Sequence, residues 1–157
     1  MKSVLISVNK PHTDNIFSYI KGLEWRKKPL PEGLYYVYET KNKGGCGMVI
    51  GEMRITGSLA VDTSGPMEVC LVNSGCVHPV TLKKYANNGI VYANFIQGIR
   101  RYDVPKPLSE FRKTCVNDLY CEECAMHSEN TGTCGNIALQ LTRPPQSWCY
   151  VEELKDG

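Results

Sequence analysis

The hydrophobic positions of this chain alternate or run together over short distances, and this pattern predicts a protein built mainly of β-strands. Polar stretches containing glycine or proline separate the runs, as they do between strands. Two stretches instead space their apolar residues as helices do: 12–20, expected to end at Lys21 and Gly22, and 81–86. Residues 66–72 fit either a strand or an irregular segment. The predicted strands are 3–8, 23–28, 34–40, 47–55, 90–102 and 148–151.

Many short strands with two helices are typical of an α+β protein, and we predict a small antiparallel β-barrel with flanking helices. The 157 residues fit a single domain over 1–157, which is long enough to bury a core. Composition is ordinary for a globular chain, with 42% hydrophobic and 22% charged residues. The formal net charge of +2 does not by itself indicate a polyanionic partner.

The apolar runs are too short for a membrane segment, which needs roughly 18 apolar residues or more. The first run is broken at Asn9, Lys10 and Pro11, too early for the core of a signal peptide. We therefore predict a cytoplasmic protein with no membrane partner.

The segment 108–140 is polar, and its four cysteines have the spacing Cys115-x5-Cys121-x2-Cys124-x9-Cys134. A Cys-x2-Cys step lets two thiolates reach one tetrahedral ion, and metal binding would supply folding energy that the few apolar residues cannot. We predict a zinc-stapled insert in which these four cysteines form a closed, structural site. An iron–sulfur cluster uses the same ligand set, and cysteines that are free or linked by disulfides are the alternative without metal. His127 could also replace one thiolate.

A helix-to-strand turn places Lys21, Glu24 and Arg26 within six residues. Strand alternation puts Glu24 and Arg26 on one face and Trp25 on the other, where it is expected in the core. In one interpretation these charged groups only pair with each other. In the other, Lys21 and Arg26 bind an anion while Glu24 acts as a hydrogen-bond acceptor or base, so that the turn forms one wall of a polar pocket.

A second candidate wall lies near the end of the chain, at Arg143-Pro144-Pro145-Gln146-Ser147-Trp148. Two prolines hold this stretch rigid while it presents a guanidinium, an amide and a hydroxyl, and rigid turns often carry recognition groups. The alternative is a fixed corner before the last strand. We include Arg143, Gln146 and Ser147 in the predicted ligand-binding set.

These features together resemble the ASCH family, the activating-signal-cointegrator homology domains of the PUA-like superfamily. The resemblance covers most of the chain outside the cysteine-rich insert, and its most specific parts are Glu24-Trp25-Arg26 and the Arg143–Trp148 stretch. It implies a PUA-like β-barrel with a cleft beside it, lined by the helix-to-strand turn. It also implies binding of RNA or modified nucleosides, and a few members of the family hydrolyse an acylated cytidine or cut RNA.

The sequence departs from the family at the turn itself. Where the family commonly has Gly-x-Lys-Thr, this chain has Tyr19-Ile20-Lys21-Gly22, and Glu24 stands where the amidohydrolase branch has a threonine. We therefore predict first a module that binds RNA or a modified nucleotide. The alternatives are an amidohydrolase or nuclease with Lys21 and Glu24 as catalytic groups, and an adaptor that binds other proteins.

Overall fold

A computed structural model describes residues 2–115, 127–128, 133–134 and 136–155 of the chain. Six strands form one sheet in the order β2-β5-β4-β3-β1-β8, and β6 pairs with β7 in a small separate sheet. The strands are β1 (Lys2–Val8), β2 (Leu23–Arg26), β3 (Gly33–Glu39), β4 (Met48–Asp62), β5 (Ile90–Lys106), β6 (His127–Ser128), β7 (Thr133–Cys134) and β8 (Trp148–Glu152). The helices of the described residues are α1 (His12–Phe17), α2 (Val69–Gly75) and α3 (Pro79–Tyr85), and 3₁₀ turns occupy Asn42–Gly44, Leu108–Glu110 and Ile137–Leu139.

The predicted α+β class is confirmed, but the predicted closed antiparallel barrel is wrong. The sheet is mixed, because β1 runs parallel to β3 while the other neighbouring strands are antiparallel. The end strands β2 and β8 do not pair with each other in the described part of the chain. The Gly22 amide, just before β2, donates to the Ser74 carbonyl in α2 at 2.9 Å, and the Glu152 amide of β8 donates to the Arg112 carbonyl at 2.9 Å. Other segments therefore form backbone hydrogen bonds at the two edges of the sheet, beside β2 and β8.

Both faces of the sheet are buried, which explains the continuous apolar runs in β1 and β3. One face packs against α1 around Ile16 and Tyr35, and the opposite face packs around Tyr36 and Phe111. A third cluster lies where α3 meets β2 and β5, around Trp25. None of the described helices is long and apolar enough to cross a membrane.

Several elements differ from their predicted bounds, most of all β4 and α2. Strand β4 continues to Asp62, well beyond the predicted end at residue 55, because it pairs with β5 as far as Ile90. The stretch predicted as a strand or irregular segment at 66–72 instead enters helix α2 from Val69. This helix has only seven residues, and its apolar residues stand together at 69–72, so no helical period is visible in the sequence.

Candidate functional site

The helix-to-strand turn begins earlier than the sequence predicted. Helix α1 ends at Phe17, and Tyr19 takes a left-handed conformation with φ of 61°. The amides of Ile20 and Lys21 then both donate to the Asn15 carbonyl, at 3.0 and 2.9 Å. Lys21 therefore lies outside the helix, and this folded-back turn carries its side chain into the interior.

Lys21 is a buried cation, only 1% exposed. Its ammonium donates to the carbonyl of Gly75, the last residue of α2, and lies 3.8 Å from Glu24 Oε2. A helix C-terminus carries partial negative charge, so both neighbours favour the charged amine. Burial nevertheless lowers the pKa of Lys21 below its usual value, and Glu24 offsets only part of that effect.

Glu24 and Arg26 pair directly, as one of the two interpretations of the turn predicted. Arg26 Nε donates to Glu24 Oε1 at 3.1 Å. Its other nitrogens donate to the Ser7 carbonyl at 3.0 Å and to Ser147 Oγ at 3.1 Å. The guanidinium thus ties β2 to β1 and to the Arg143–Trp148 stretch. Glu24 Oε2 is buried and has no hydrogen-bond partner among the described residues.

These groups border a cavity of about 460 Å³, which we call the first cavity. Its lining includes the charged residues Glu24 and Arg26 and also the aromatic and aliphatic residues Trp25, Leu82 and Tyr85. The lining residues are Ser7, Val8, Asn9, His12, Glu24, Trp25, Arg26, Thr40, Asn42, Val77, Thr81, Leu82, Tyr85, Pro144, Pro145 and Gln146. A volume of this size is in the range of small-molecule sites, roughly 300–1,000 Å³.

His12 adds a second unsatisfied polar group to the first cavity. Its Nδ1 is buried without a hydrogen-bond partner in the described part of the chain. Burial, and next the nearby charge of Lys21, lower the pKa of His12 below 6.5. The imidazole is therefore neutral at neutral pH, and it can offer one donor and one acceptor to a ligand.

The structure divides the predicted ligand-binding residues among four positions. Glu24, Arg26 and Gln146 line the first cavity, while Lys21 lies buried behind Glu24 and is not a lining residue. Ser147 holds Arg26 from the far side. Arg143 does not join them, because it lines an adjoining second cavity of about 580 Å³.

The predicted metal site falls largely outside the described residues. Cys121 and Cys124 are not described, and Cys134 is placed by its backbone in β7, opposite His127 of β6. Cys115 is half-buried at the end of the segment that follows β5. Among the described residues, no group of three or more His, Cys, Asp or Glu is arranged to hold a metal ion. The four-cysteine site stays a prediction.

Sequence reasoning missed several lining residues, chiefly Asn9, His12, Thr40 and Tyr85. Asn9 and Thr40 follow the parallel strands β1 and β3 at the same end of the sheet, and Thr40 Oγ1 donates to Asn9 Oδ1 at 2.5 Å. A polar residue directly after each of two buried strands was the available signal. No local signal places Tyr85 here, because α3 reaches the first cavity only through its packing on Trp25 and Val91.

The fold and the site together describe a small α+β domain with a polar cleft beside a mixed sheet. Structural comparison matches it to the ASCH protein of Zymomonas mobilis, with a TM-score of 0.62, 18% identity, and coverage of 96% of this chain and 88% of that one. A serine-to-alanine mutant and a tyrosine-to-phenylalanine mutant of that protein match with the same TM-score, at 17% and 18% identity, covering 96% and 98% of this chain and 89% and 92% of theirs. The sequence matches no protein-family model and no curated protein. The chain therefore shares the fold of that ASCH protein, as the resemblance implied, but its sheet is not closed into the predicted barrel.

Proposed function

We propose that this protein is a binding module for RNA or a modified nucleotide, and that the first cavity holds the base. The observation that carries this proposal is that two unlike kinds of group line one cavity. Glu24 and His12 contribute polar atoms that have no hydrogen-bond partner among the described residues, and Trp25, Leu82 and Tyr85 contribute aromatic and aliphatic groups. A nucleobase has the same two properties, with hydrogen-bonding groups on its edges and flat apolar faces.

Glu24 Oε2, which pairs with Lys21 at 3.8 Å but accepts no hydrogen bond from a described residue, favours a ligand group that donates one. An ionised carboxylate only accepts hydrogen bonds, and a buried carboxylate oxygen without one is destabilising until a donor reaches it. Because Arg26 is already bonded to Glu24, Ser7 and Ser147, its main role in this proposal is to hold Glu24 in place. Exocyclic amines and ring N–H groups of bases are suitable donors.

Tyr85 provides the most direct mutational test of base binding. Stacking on an aromatic side chain contributes roughly 1–3 kcal/mol per base, so Tyr85→Ala should weaken binding by about tenfold or more. Tyr150→Ala is a matched control, because both side chains are 40% exposed and Tyr150 lines neither cavity. Fluorescence polarisation with a labelled random-sequence octaribonucleotide measures the effect, and the melting temperature shows whether each variant is folded.

Equal affinity for wild type and Tyr85→Ala would place any RNA binding outside the first cavity. No measurable affinity in the wild type, for the octamer or for a panel of nucleosides, would instead favour an adaptor that binds proteins.

A second candidate function is hydrolysis of an acylated nucleoside or of RNA. The observation that favours it is the buried Lys21 beside Glu24, since a lysine whose pKa is lowered can act as a base or nucleophile. The hydrogen bond from Lys21 to Gly75 and its position behind Glu24 favour a supporting role instead. Turnover of acylated cytidine or labelled RNA that disappears in Lys21→Arg, which keeps the charge, would establish the enzyme.

We also propose that Cys115, Cys121, Cys124 and Cys134 bind one zinc ion, as their spacing predicts. Elemental analysis of the purified protein should find about one zinc per chain, and Cys121→Ser with Cys124→Ser should reduce it to background. Replacing Cys46 and Cys70, which are exposed and lie outside this cluster, should leave the zinc content unchanged. Visible absorbance with bound iron would support the iron–sulfur alternative, and the absence of both metals would contradict metal binding.

A further inference from the structure

The second cavity adjoins the first and differs from it in charge. The two share Thr40, Asn42 and Pro144 as lining residues. Two of these shared residues are hydrogen-bonded to Asn9 of the first cavity, since Asn9 Oδ1 accepts from Thr40 Oγ1 at 2.5 Å and from Asn42 Nδ2 at 3.4 Å. Because the two cavities share lining residues, a ligand longer than one nucleoside can contact both.

Two cations line the second cavity, Lys41 and Arg143. Neither forms an ion pair with any described residue, whereas Arg26 in the first cavity is bonded on three sides. The second cavity's lining includes no Asp or Glu within the described part of the chain. The residues that line it are Tyr38, Thr40, Lys41, Asn42, Gly47, Leu108, Thr142, Arg143 and Pro144.

The stem of Lys41 passes close to the backbone at Gly47, beside the second cavity. Gly47 has a φ of +67°, and a Cβ added there would lie 2.7 Å from Lys41 Cε and 2.8 Å from its Cγ. Glycine suits this position, because its backbone takes a left-handed conformation and it leaves space for the lysine stem.

We infer that the second cavity is a phosphate subsite, in which Lys41 and Arg143 bind the phosphate attached to the nucleoside held in the first cavity. This inference rests on the proposed function and narrows it, because the ligand is then a nucleotide or a strand and not a free nucleoside. Arginine and lysine are the side chains that proteins use for phosphate, and hydroxyl and amide groups such as those of Thr142 and Asn42 add neutral donors.

The test compares nucleosides with their phosphorylated forms. The probes are the four ribonucleosides, their 5′- and 3′-monophosphates and the corresponding dinucleotides, with dissociation constants from calorimetry. A phosphate held by two cations should tighten binding on the order of tenfold over the nucleoside. Lys41→Ala with Arg143→Ala should remove this gain and leave nucleoside affinity unchanged. Comparing 5′-phosphate, 3′-phosphate and dinucleotide identifies which phosphate the subsite takes.

Lys28→Ala with Arg54→Ala is the matched control, because both residues are exposed, line neither cavity and carry the same total charge. This control should keep the gain from phosphate at moderate salt. The inference is overturned if a phosphate does not increase the affinity over that of the nucleoside, or if the Lys41→Ala, Arg143→Ala variant keeps that increase. In both cases, measurable nucleoside binding to the wild type would leave the proposed binding function standing. If neither nucleosides nor nucleotides bind, the proposed function fails, and the phosphate subsite fails with it.

Discussion

Replacing Lys21 with methionine is expected to lower the free energy of unfolding by about 3 kcal/mol at neutral pH, although the two side chains have similar size. Lys21 is buried, and it neutralises Glu24 from one side and the carbonyl end of α2 from the other. Its removal leaves a buried carboxylate with Arg26 as its remaining ion-pair partner. Urea unfolding followed by circular dichroism measures the change.

The same substitution has a pH signature of definite sign. Burial lowers the pKa of Lys21, so between that pKa and the usual value of about 10.4 the folded protein binds fewer protons than the unfolded chain. In that window this group makes the wild type more stable as pH rises. Lys21→Met lacks the titrating group. The difference in free energy of unfolding between the wild type and this variant should therefore grow between pH 7 and about pH 10.

Lys28→Met is the control, since Lys28 is exposed and lies just beyond the same strand. It should change the free energy of unfolding by no more than about 0.5 kcal/mol. A stable Lys21→Met variant, close to wild type at both pH values, would show that Lys21 is not part of a buried ion pair. Such a result would also allow simple alanine replacement of Lys21 in binding assays.

The residues of β2 could be placed from the sequence, whereas the burial of Lys21 could not. Alternation along β2 correctly placed Glu24 and Arg26 on one face and Trp25 in the core, because strand periodicity is a local property. The burial of Lys21 depends on the early end of α1 and on the carbonyl of Gly75, 54 residues away in the chain. No local pattern contains that contact.

Long-range pairing explains the other differences. Strands β1 and β3 were both predicted, but their parallel pairing, Val4 opposite Tyr35, is set by a connection that passes through α1 and β2. In the Arg143–Trp148 stretch, Gln146 lines the first cavity and Ser147 accepts from Arg26. Arg143 lines the second cavity instead, and Pro144 between them lines both. Residues of one rigid turn therefore line two cavities. Spacing along the chain could not reveal this arrangement, because it depends on how the turn packs against the sheet.

Gly75→Ala should cost roughly 3 kcal/mol of stability, whereas alanine normally favours a helix. An added Cβ at Gly75 would lie 1.9 Å from Trp25 Nε1, 2.7 Å from Trp25 Cε2 and 2.9 Å from Leu23 Cδ1. None of these atoms is the end of a long flexible side chain, so α2 or the indole must move. Gly65→Ala, which has nothing within 4 Å, is the control and should stay within about 0.5 kcal/mol of wild type.

A double-mutant cycle separates this contact from a general effect on α2. Trp25→Phe removes the indole nitrogen, and combined with Gly75→Ala it should cost clearly less than the sum of the two single changes. Strict additivity would contradict the close contact. Because the Gly75 carbonyl holds Lys21 and Trp25 lines the first cavity, Gly75→Ala should also weaken octaribonucleotide binding at temperatures where the variant remains folded. A Gly75→Ala protein that binds normally would show that RNA binding does not depend on the exact positions of Lys21 and the Trp25 indole.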